Sequence, residues 1–243
     1  MHNERPFTLF SSTHVGTLLV LALVGFLLCW GMKRFAGPQA CRRFEISFAV
    51  LIAVQYLIER VLYVWLTDYE AREVLPFHLC GISTILTIVL LIAHKRLVFE
   101  VLYFWGFIGT VLGMLMPEVE YDFPHYFFLL YFTGHVYIVY GAAYMAVIYG
   151  YRPTWASIPK AMVATVIYAG LITPINVGLD VNYLFLRAKP TGAGLMDYFG
   201  PWPWYLGVLA ALMVVFFVIA YAPWALRDTL LLRRELVLAP EPE

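Results

Sequence analysis

The chain has 243 residues, 62% of them hydrophobic and 13% charged, with a mean hydropathy of +0.78, against roughly 45–50% apolar and 25% charged in a soluble domain. That composition excludes a soluble globular protein, and 16 basic residues balanced by 16 acidic ones leave no positive field for nucleic acid. Cys29, Cys41 and Cys80 stand at unrelated spacings, so there is neither a disulfide framework nor a CxxC metal knuckle, and any cysteine chemistry is a single thiol's.

A bilayer core of about 30 Å takes about 20 mostly apolar residues per helix. The chain tiles into seven such spans, at 14–32, 44–66, 77–93, 97–116, 124–149, 158–176 and 204–224. The first reads as a retained anchor, because its apolar run is too long for a signal peptide, no small-residue cleavage site follows, and Lys33 and Arg34 come directly after it. The expected fold is all-α, a single seven-helix membrane domain over residues 1–243, multi-pass in a bacterial plasma membrane.

Basic residues accumulate in short cytoplasmic loops. Lys33, Arg34, Arg42, Arg43, Lys95, Arg96, Arg152, Lys160, Arg227, Arg233 and Arg234 fall on one side, and only Arg5, Arg72, Arg187 and Lys189 on the other. The N-terminus is therefore expected outside and the C-terminus in the cytoplasm. The one long connection, 177–203, lies on the outer side and carries Asp180, Asn182, Tyr183, Arg187 and Lys189 before an aromatic run from Trp202 to Tyr205. An interfacial aromatic belt accounts for the tryptophans. The polar residues ahead of them suggest a lid over an outward-facing cavity, as long loops in compact domains are usually functional.

Ionisable groups at membrane depth face a bundle interior or a water-filled cavity. In span two, Gln55 and Glu59 share a helix face, with Arg60 adjacent; they read either as a substrate-binding acid and its neighbours or as a structural tie between helices. In span three, Cys80, Ser83, Thr84 and Thr87 follow a helical spacing and form a polar stripe headed by a thiol. His78 stands about 200° around a regular helix from Cys80, so the two meet one ligand only if the turn after Pro76 is irregular.

Span five adds His125 at its outer mouth and His135 about 15 Å deeper, beside Gly134. The bland reading of His135 is an interhelical hydrogen bond. Gly109 and Gly113 form a GxxxG that most simply packs two helices. Asn176, after Pro174, reads as an oxyanion donor or a helix cap.

Taken in order, Phe77-His78-Leu79-Cys80-Gly81, Met116-Pro117-Glu118, Phe123-Pro124-His125, Gly134-His135, Asn182-Tyr183, Lys189-Pro190 and the run Gly200-Pro201-Trp202-Pro203-Trp204-Tyr205 resemble the bacterial YwaF-like integral membrane family, from about span two to span seven. That family resembles a eukaryotic TMEM-type family for which acyl transfer to lysophospholipid through a Cys and a His has been proposed. The resemblance implies Cys80 as the family cysteine and His135 as its histidine.

Such a pair has coherent chemistry. A thiol deprotonated by an imidazole attacks an ester carbonyl and holds the acyl group as a thioester until an alcohol or water accepts it. Asn176, Asn182 or the hydroxyl stripe would supply the oxyanion donors. Glu59, His78, His125, Asn176, Asn182 and Tyr183 are the expected substrate-binding residues, membrane lipids the expected partners, and no cofactor, metal or protein partner is implied. The principal alternative is a transporter or small-molecule binding protein with an outward-facing polar pocket, although inverted repeats are absent. A zinc hydrolase using His78, His125, His135 and Asp180 or Glu59 lacks the expected H-x3-H pair. A retinal photoreceptor is excluded because the last span has no lysine.

Overall fold

The computed structural model describes residues 5–190 and 194–238, with residues 194, 195 and 231–238 as backbone only. The tail ends 1–4 and 239–243, residues 191–193 of the long loop, and the side chains of Arg233 and Arg234 lie outside what is described. Among the described residues the fold is all-α, with one isolated bridge between Pro6 and Tyr121 and no strand.

The long helices are α1 (Ser12–Phe35), α2 (Pro38–Leu66), α3 (Leu79–Ala93), α4 (Arg96–Leu115), α5 (Tyr126–Tyr149), α6 (Ser157–Leu179) and α7 (Trp204–Leu238). Six are long and apolar enough to cross a membrane; α3, at 15 residues, is the short one. Their ends follow local chemistry. Ser11 caps α1 by accepting the His14 amide at 3.2 Å, Pro38 opens α2 where its missing N–H is harmless, and Gly150 ends α5 at φ 68°. Within α4, residues Gly106–Val111 form a π turn, which holds one residue more per turn than an α-helix.

The main core lies between α1, α2, α3, α4 and α5, around Phe48, Leu90, Leu91, Phe99, Leu102, Phe128 and Phe132. A second cluster ties α4, α6 and α7 through Phe104, Trp105, Ala161, Phe217 and Tyr221. Outward faces keep large apolar side chains exposed, among them Leu19, Phe26, Trp65, Val166 and Leu171, as lipid-facing helices require. His14 is fully buried. Its Nδ1 accepts the Phe10 amide at 3.1 Å, which leaves the proton on Nε2 to donate to the Met114 carbonyl at 2.9 Å and tie α1 to α4.

At one end of the bundle, basic residues satisfy helix C-termini. Lys33 donates to the Val147 carbonyl at 2.7 Å, and Arg42 to those of Leu91 and Ile92. Beside them the buried Glu45 accepts from Arg42 at 3.2 Å and from Tyr144 and Tyr149, and meets His94 at 3.0 Å. At the opposite end lie the α2–α3, α4–α5 and α6–α7 connections. The N-terminal segment joins that end, where the Phe7 amide donates to Glu120 and the Asp122 amide to the Arg5 carbonyl, each at 2.9 Å.

Candidate functional site

The shortness of α3 makes room for a cavity. Fifteen residues rise roughly 22 Å, against roughly 36 Å for the 24 residues of α5, so the first turn of α3 is recessed below its neighbours' ends. Residues 67–78 descend from α2 to reach it, and the space above holds a cavity of about 250 Å³. Its walls come from α2 (Tyr56, Glu59, Arg60, Tyr63), the descending segment (Glu73, His78), α3 (Cys80, Thr84), the α4–α5 connection (Glu118) and α5 (Tyr131, His135).

Four expected site residues, Glu59, His78, Cys80 and His135, thus line one cavity. The angular conflict between His78 and Cys80 disappears because His78 is extended, at φ −71° and ψ 156°, and precedes the helix of which Cys80 is the second residue. The depth difference between Cys80 and His135 is met by the recession of α3, which brings its second residue down to the middle of α5.

Two glycines of α4, outside the cavity lining, lie behind Cys80 and His135. The Cys80 thiol donates to the Gly109 carbonyl at 3.3 Å. A Cβ on Gly109 would stand 3.6 Å from that sulfur, and one on Gly113, a turn along, would stand 3.7 Å from His135 Nε2. The GxxxG expected to pack helices therefore faces the side chains of Cys80 and His135.

His135 is oriented by its own helix. Its Nδ1 lies 2.8 Å from the Tyr131 carbonyl, which only accepts, so Nδ1 carries the proton and Nε2 keeps its lone pair. The imidazole stacks on the Tyr131 ring at 4.1 Å between centroids, and the Tyr131 hydroxyl donates to the Gly113 carbonyl at 3.0 Å. This is the tautomer in which a histidine takes a proton through Nε2.

On α2, Arg60 donates to Glu59 at 2.7 Å and to the Val74 carbonyl at 3.3 Å. Its guanidinium lies over the rings of Tyr56 and Tyr63, at 4.9 and 5.3 Å from their centroids. The other face of Glu59 packs against Gly134, where a Cβ would come within 3.5 Å of Oε2. Gln55, one turn away, donates to the Leu130 carbonyl at 3.0 Å.

The remaining expected substrate-binding residues, His125, Asn176, Asn182 and Tyr183, lie outside the cavity lining. Asn176 is fully buried and holds Tyr183 in both directions, donating to its carbonyl at 2.9 Å and accepting its amide at 2.8 Å. Asn182 shapes its loop, accepting the amides of Arg187 and Ala188 and donating to the Ala188 carbonyl. His125 caps α5 by accepting the Phe127 amide at 3.3 Å and stacks on Tyr121. The hydroxyls of Thr84 and Thr87 donate to their own helix, at Cys80 and Ser83.

Among the described residues, no part of the 177–203 loop lines the cavity. Tyr183 reaches it indirectly. Its buried hydroxyl donates to the Arg72 carbonyl at 2.6 Å and accepts the Leu75 amide at 3.0 Å, pinning the segment that carries Glu73 and His78, and its ring meets that of His78 edge-on. Sequence reasoning missed Tyr56, Tyr63 and Tyr131. The signal was present, since 56, 59, 60 and 63 share a helical face, as do 131 and 135.

Among the described residues, no group of three His, Cys, Asp or Glu stands close enough to share a metal ion. No curated protein and no solved structure matches the chain. A family model does, over residues 9–221, a stretch that contains every wall of the cavity and nearly the whole bundle of membrane-length apolar helices. On that match the chain is a multi-pass membrane protein and belongs to the TMEM164 family.

Proposed function

We propose that the protein is a lipid-modifying enzyme that carries out acyl transfer or ester hydrolysis on a phospholipid or lysophospholipid, with Cys80 as nucleophile and His135 as base. The observation that carries this reading is the shared cavity, in which a thiol and an imidazole with a free Nε2 lone pair stand over adjacent turns of α4. In the same reading α3 completes a seventh span, the cavity end faces outside, and the chain sits in a bacterial plasma membrane.

The steps follow from these groups. His135 Nε2 takes the Cys80 proton as the thiol leaves the Gly109 carbonyl, and the thiolate attacks the ester carbonyl. The tetrahedral intermediate collapses with loss of the glycerol alkoxide, which takes the proton from the imidazolium, leaving an acyl thioester on Cys80. An alcohol or water then gives its proton to Nε2 and attacks the thioester, and the returning proton restores the thiol. Backbone amides of the first turn of α3 are oxyanion donors, since they have no intrahelical acceptor and the His78 side chain does not cap them. Asn176 and Asn182, engaged as described, leave that role to them.

The test is acyl transfer from a labelled phospholipid in nanodiscs. Cys80→Ser and His135→Gln should each lower the rate by about a hundredfold or more, and a labelled thioester should be trapped on wild type and not on Cys80→Ser. Full activity in Cys80→Ala would overturn the thioester mechanism, and no acyl transfer or ester hydrolysis by wild type would leave binding or transport by the outward-facing cavity.

A further inference from the structure

Two buried polar groups on the α2 wall have no hydrogen-bond partner among the described residues: Arg60 Nε and the Tyr56 hydroxyl. Both side chains line the cavity. A buried donor left unsatisfied costs about 1–3 kcal/mol, so native proteins keep few of them, and those at a cavity wall call for an absent acceptor. The two groups are close, because the guanidinium lies over the ring that bears the hydroxyl. The hydroxyl itself points to the first turn of α3, 3.1 Å from where a Cβ on Gly81 would be. There the helix amides also lack a side-chain cap.

We propose that Arg60 and Tyr56 form a phosphate subsite of the cavity, which holds a phosphate oxygen of the ligand beside the first turn of α3. This rests on the phospholipid reading above and specifies it. Glu59 and the Val74 carbonyl each occupy one Nη of Arg60 and fix the plane of the guanidinium. The Nε N–H, beside the Nη that Glu59 holds, is left for a phosphate oxygen. Glu59 acts here as a positioning residue. The two other acids of the lining, Glu73 and Glu118, are exposed at the rim, where water and salt screen their repulsion. A phosphate held next to Gly81 places the glycerol ester of the same lipid one residue away, at Cys80.

The shared chemistry is a phosphate oxygen, whether carried on a lipid headgroup or free. The full-length protein in nanodiscs is titrated with labelled dodecylphosphocholine, which has a phosphodiester and no carboxylic ester, and with dodecyl maltoside as the phosphate-free control. Wild type should prefer the phosphate probe by about tenfold or more, and Tyr56→Phe and Arg60→Lys should each erase most of that preference. Arg60→Lys keeps a cation for Glu59 and Tyr56→Phe removes one oxygen, so both should fold, as checked by thermal melting. Displacement of the probe by inorganic phosphate identifies a site for the free anion, and its failure to displace identifies a lipid-borne phosphate.

Equal binding of the two probes to wild type, or an unchanged preference in both variants, would overturn the subsite. Loss of activity in Cys80→Ser alongside such a result would leave the acyl-transfer reading standing without it. No acyl transfer or ester hydrolysis by wild type, alongside a preference lost in the Tyr56 and Arg60 variants, would leave the subsite standing without acyl transfer.

Discussion

The Cys80 thiol rests on the Gly109 carbonyl at 3.3 Å, so the proposed nucleophile is held by the backbone of a helix from which a side chain has been removed. Gly113 offers the same bare surface to His135 one turn away. In this bundle two small residues at helical spacing make room for side chains of two other helices, α3 and α5, to approach α4.

Gly113→Ala tests that arrangement. The new methyl would lie 3.3 Å from the Tyr131 hydroxyl, which must give by a few tenths of an ångström, and with it moves the ring on which the His135 imidazole stacks. Acyl transfer should fall by about tenfold, because small misplacements of a reacting group are costly. Melting temperature should hold or rise, since alanine is roughly 0.5–1 kcal/mol better than glycine in a helix. Parallel activity and thermal-melt measurements check both.

Gly141→Ala should do the opposite. Its Cβ would collide with the Thr87 methyl at the α3–α5 contact, away from the cavity walls. Overpacking of this kind costs about 1–3 kcal/mol. A lowered melting temperature, with near-normal binding of the phosphate probe below it, is expected.

Asn176→Ala should also act on stability. It leaves the Tyr183 amide and carbonyl without their buried partners, at about 2–3 kcal/mol. Tyr183→Phe frees the segment at Arg72 and Leu75 without exposing that backbone. Hydrogen exchange at residues 72–78 should rise in both variants.

The loop after α6 should respond to acid. Asp180 accepts from Arg187 at 2.8 Å, and that bond with its charge holds the Asp180 carboxyl below its ordinary value. A carboxyl whose folded value is depressed contributes stability at pH above its unfolded value, near 4, and loses it as pH falls through the folded value. Asp180 is exposed, so the effect is small and local. Exchange protection at 181–188 should be lower in Asp180→Asn than in wild type at neutral pH, and the two should converge well below pH 4.

Much of this was legible in the sequence because hydropathy and charge act locally. Runs of apolar residues place the helices, and the isolated polar groups Glu59, Cys80 and His135 stand out against them. Their assembly was less legible. His78 was set 200° from Cys80 by assuming one continuous helix, and the extended backbone after Pro76 removes that assumption. Asn176 resembled an oxyanion donor because its partner, the Tyr183 backbone, is met only when the chain turns back after α6. The recession of α3 is a relation between helices that no single segment encodes.

The π turn of α4 leaves no trace in composition, yet it sets the phase of everything beyond it. Gly113 and Met114 follow Gly106–Val111, so the surfaces they present to His135 and His14 depend on the extra residue. Wound as a regular α-helix, the same residues would swing the far end by about 100°. Gly113 would then turn away from His135, and Met114 from His14. The wide turn hides the extra residue within the helix: α4 works as a ratchet with a single permitted notch.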